Sequence, residues 1–171
     1  MLAAFDAATG DVAWRQNNVP PDLCLASPVI ANIGAESAVV VIPNDRLMIY
    51  KLADGMPITS DRHRNAGQTT PVIENGVIYQ GNRPRFSGRH GYPGMHGLSA
   101  AAFKLPSDSN STNIVPQPFI EVAQVAGGIS YHISAPLLVG DALYTIDMAG
   151  YFAVYDMKEG KELYNCYPDW H

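Results

Sequence analysis

Short apolar runs alternate with glycine-bearing polar turns along the chain, and one such pattern recurs. Residues 1–14, MLAAFDAATGDVAW, align without a gap with residues 151–164, YFAVYDMKEGKELY, and residues 46–59, RLMIYKLADGMPIT, keep the same spacing. In each copy an apolar run ends in an aromatic (Phe5, Tyr50, Tyr155), a glycine follows five residues later (Gly10, Gly55, Gly160), and a second run begins. This predicts a β-hairpin, with the glycine supplying the positive φ that the turn requires. Asp6 and Asp156 stand where a carboxylate accepts turn N–H groups.

A second pattern also recurs. Ser27-Pro28-Val29-Ile30, Thr70-Pro71-Val72-Ile73 and Ala135-Pro136-Leu137-Leu138 each open a strand, and the last two continue as PVIENGVIY and PLLVGDALY. Asn75-Gly76 and Gly140-Asp141 are tight hairpin signals. Each unit therefore reads as two hairpins, four antiparallel strands A to D. The prolines at 28, 71 and 136 set a period near that of a propeller blade, with an insertion in one repeat. The expected fold is all-β: a single domain or fragment over 1–171, forming a partial arc of about three and a half blades. Residues 1–15 are the half blade, and 27–60, 69–125 and 134–165 are whole ones. Such an arc leaves strand edges open. The missing blades then belong either to a longer chain or to a second copy, since two arcs sum to seven blades.

Composition narrows the function. At 16% charged and 47% hydrophobic residues, the 171-residue chain can bury a core and is not disordered. A net charge of −5 argues against a general nucleic-acid binder. No apolar run approaches the roughly 20 residues of a membrane span, and no secretion signal is expected at the start.

The segments Asp6-Ala7-Ala8-Thr9-Gly10-Asp11-Val12-Ala13-Trp14 and Asp156-Met157-Lys158-Glu159-Gly160-Lys161-Glu162-Leu163-Tyr164 resemble the PQQ-like (quinoprotein-like) β-propeller repeats, which place a glycine turn between strands C and D and an aromatic on strand D. The second copy departs, with Lys51 for the aspartate and Thr59 for the aromatic. No Trp-Asp closing dipeptide, double-glycine kelch signature or Ser-x-Asp-x-Gly-x-Thr-Trp box points to other propellers. The resemblance implies fold more than function, because the family includes quinone-dependent dehydrogenases, a partner-binding outer-membrane assembly lipoprotein and other exported proteins. It implies a periplasmic or extracellular location. The recurring Asp, Gly and Trp or Tyr positions read as turn and packing residues.

Chemistry is expected on the other face. Strand alternation puts the short A–B and C–D turns on one side and the longer B–C loops and D–A links on the other. That second side should carry Arg62, His63, Arg64, Arg83, Arg85, Arg89, His90, His96 and His132 in an otherwise acidic chain. Phe86 and Tyr92 interleave with the arginines of the third blade's insertion. Arginine forks bind carboxylates, sulfates or phosphates, and aromatic rings stack on sugars or quinones. The expected site is therefore a loop-built pocket for an anionic or polyhydroxylated ligand, or for a protein partner. The plainer reading is a solvated loop whose arginines pair with neighbouring carboxylates.

His63, His90 and His96 have no standard metal-ligand spacing, so no metal site is predicted. His132 reads as a channel-lining residue. Cys24 and Cys166 could pair only if their segments meet. Neither a haem-attachment motif nor a vicinal cysteine pair is present, and Asn110-Ser111-Thr112 is a sequon in a polar C–D loop. No cofactor is expected. The alternative is a fragment of a PQQ-dependent dehydrogenase, an alcohol or sugar oxidoreductase with the quinone and calcium at the ring's centre. Against it, the loops offer few carboxylates beyond Asp22 and Asp61. A purely structural module of a larger enzyme is the third class.

Overall fold

The computed structural model describes residues 1–19, 26–43, 46–62, 69–81, 98–110, 115–116, 120–121, 134–146, 150 and 152–166. Every regular element among them is a strand, and all pairings are antiparallel. Strands β1 (Leu2–Phe5) and β2 (Val12–Gln16) form a two-stranded half-blade. Strands β3 (Val29–Ile33), β4 (Glu36–Val41), β5 (Arg46–Lys51) and β6 (Pro57–Arg62) follow in order as the second blade. The third holds β7 (Val72–Glu74), β8 (Val77–Gly81) and β9 (Leu98–Lys104), with the outermost position divided between β10 (Val115–Pro116) and β11 (Ile120–Glu121). The fourth is β12 (Leu137–Val139), β13 (Ala142–Ile146), β14 (Phe152–Asp156) and β15 (Lys161–Cys166). This is a partial β-propeller arc.

The three C–D turns share one backbone hydrogen bond. Gly10, Gly55 and Gly160 all take positive φ, and their N–H groups donate to the carbonyls of Asp6, Lys51 and Asp156. Asp6 Oδ1 accepts the N–H groups of Ala8 and Thr9 at 2.8 and 2.9 Å, and Asp156 Oδ1 those of Lys158 and Glu159 at 3.0 and 2.9 Å. Lys51 cannot do this in the second blade. There Asp54 Oδ1 accepts the N–H of Met56 at 2.9 Å instead. A β-bulge falls at the same place in all three hairpins, just before Phe5, Tyr50 and Tyr155. Asn75 holds a left-handed φ of 50° beside Gly76, as a two-residue hairpin turn requires.

Packing lies between the sheets. On β4 and β5 the side chains alternate: Val39, Val41, Met48 and Tyr50 pack with Trp14 of the half-blade, while Ala38, Val40, Leu47 and Ile49 pack with Ile78, Phe103 and Leu105 of the third blade. Leu143, Ala153 and Tyr155 of the fourth blade pack with Tyr79 of the third. The second blade is apolar on both faces for this reason, so its strands read as near-continuous hydrophobic runs rather than strict alternation. Each fully buried side chain of the Leu, Ile or Tyr type contributes about 1.5–3 kcal/mol of transfer free energy. The inter-blade layers are thus the core of the molecule.

Candidate functional site

The two faces of the arc differ as strand polarity dictates. On one, the A–B turn is tied to the C–D turn of the same blade by a recurring bond: Leu52 N–H to the Ser37 carbonyl, Leu105 N–H to that of Gly76 and Met157 N–H to that of Asp141, at 2.9, 2.7 and 2.8 Å. On the other, β2, β6, β8, β13 and β15 end, at Gln16, Arg62, Gly81, Ile146 and Cys166. The arginine- and histidine-bearing segments leave from these ends.

Of the predicted site residues, Arg62 lies at the last position of β6, directly opposite Arg46 at the first position of β5. His63, Arg64, Arg83, Arg85, Phe86, Arg89, His90, Tyr92, His96 and His132 lie outside the described residues, as do Asp22 and Cys24. Arg46 was missed by the sequence reading. It could have been found there, because every C strand begins at the same edge where a D strand ends. The two arginines thus share one register position at this edge.

The turn face carries a shallow cleft of about 370 Å³ lined by Glu36, Ser37, Lys51, Leu52, Ala53 and Asp54. Lys51 Nζ lies 3.1 Å from Glu36 Oε2 across the mouth. A hydrogen bond from Ser109, together with Lys51, holds the Glu36 carboxyl below its usual range. A carboxylate kept ionised in this way is poorly suited to act as a general acid near neutral pH. Both members of the pair are partly exposed, so solvent screens the attraction and the ion pair adds little to stability. This cleft is a brace between turns.

Among the described residues, no three His, Cys, Asp or Glu side chains come together in a way that could hold a metal ion; the five histidines lie outside that set. Cys166 is a free thiol, and a hydrogen bond with it raises the pKa of the Tyr164 hydroxyl. No helix among the described residues is long and apolar enough to cross a membrane.

Sheets of this form, packed face to face in an arc, define a β-propeller, and solved structures agree. The chain is similar to BamB from Moraxella catarrhalis, with a TM-score of 0.61 at 14% identity over 95% of this chain and 44% of that one. It is also similar to the computationally designed Ika8 protein, with a TM-score of 0.56 at 11% identity over 95% of this chain and 42% of that one. The chain thus spans less than half the length of either structure. No family model and no curated protein matches the sequence. At these identities the likeness speaks for fold alone.

Proposed function

We propose that this chain is part of a non-catalytic, exported binding propeller of the PQQ-like repeat type, holding a protein partner or an anionic or polyhydroxylated ligand on its loop face. The observation that carries this reading is the register of β5 and β6. It sets Arg46 opposite Arg62 where β6 runs on into the segment bearing Arg64, while the segment bearing Arg83, Arg85 and Arg89 follows the end of β8 in the next blade. A rigid scaffold that concentrates variable loops on one side is a general way of building a binding surface. The resemblance of the C–D turns to a family with exported, partner-binding members favours binding over catalysis, and the likeness to BamB supports the propeller scaffold on which such a surface would be carried.

Calorimetric titration with citrate, inorganic phosphate and a sulfated oligosaccharide tests the proposal. Binding of one of these, weakened at least about tenfold by Arg85→Ala with Arg89→Ala, is the expected result, and unchanged binding in the double variant would sink the loop-face reading. A parallel titration with PQQ and calcium addresses the dehydrogenase alternative. A bound chromophore with dye reduction by alcohols or sugars would replace the binding reading with an enzymatic one.

A further inference from the structure

We draw no further inference here: the strongest candidate, the unpartnered Gln80 Oε1 and Thr145 Oγ1 at equivalent positions near the loop-face ends of β8 and β13, lies within the packed inter-blade layers, with nothing in the structure to show what ligand would reach either atom.

Discussion

The indole of Trp14 occupies the space that a side chain on Gly55 would need: an ideal Cβ there would lie 2.6 and 2.7 Å from Cε3 and Cδ2. Gly55 is therefore required twice, for its φ of 72° and for its missing Cβ. Gly10 and Gly160, with φ of 78° and 65° and nothing within 4 Å, are required once. Gly55→Ala should cost about 3 kcal/mol or more, combining left-handed strain with overpacking. Gly10→Ala or Gly160→Ala should cost about 1–2 kcal/mol from strain alone. Urea denaturation of the three variants gives the difference directly.

The half-blade is anchored through the same indole. Trp14→Phe keeps much of the ring but leaves the Leu52 carbonyl without its donor, which should cost about 1–2 kcal/mol. Trp14→Ala should release the hairpin, because a two-stranded ribbon is marginal on its own. Hydrogen exchange is expected to show faster exchange over β1 and β2 while β4, β5 and β14 keep their protection.

Two buried polar atoms stand at one equivalent position. Gln80, opposite Ala101, and Thr145, opposite Ala153, are 1% and 5% exposed, and Gln80 Oε1 and Thr145 Oγ1 lack hydrogen-bond partners. The second blade has apolar Val41 there, opposite Met48. Leaving a buried acceptor unsatisfied costs about 1–3 kcal/mol. Thr145→Val, which keeps the shape, should therefore stabilise the chain by about 1 kcal/mol, and Gln80→Met should be neutral or stabilising. Thermal melts of both variants check this, and a loss of stability in Thr145→Val would mean that the hydroxyl serves the fold.

Acid should weaken the turns. Asp6 is held below its usual range by the N–H groups of Thr9 and Ala8, and Glu36 by Ser109 and Lys51. For a carboxylate whose folded-state pKa is depressed, the stabilisation is fully present above the unfolded value and is lost as pH falls through the folded one. The melting temperature should accordingly fall below about pH 4. In Asp6→Asn that fall should be shallower, since the amide still accepts the turn hydrogen bonds but does not titrate. Melts at successive pH values for both proteins give the comparison.

The hairpins were legible from local chemistry. A positive-φ glycine five residues after an aromatic, with an aspartate at the turn's start, dictates the C–D turns. The alternating direction of antiparallel strands dictates which strand ends share an edge, which is how Arg62 was placed and how Arg46 could have been. The remaining predicted site residues sit in long polar segments, where no periodicity ties side chains to a face.

Read alone, the chain specifies its repeat, its strands and the polarity of its two faces, because turn geometry and side-chain alternation act over a few residues. Which repeats lock together was settled only by packing. Trp14 finds Gly55 across 41 positions of sequence, and Thr59, at the corresponding place on β6, is buried without being aromatic. The sequence does not distinguish Trp14, buried to 9% exposure, from Tyr164 at 55%. The difference arises because burial belongs to the surface a side chain meets, and that surface is supplied by another sheet.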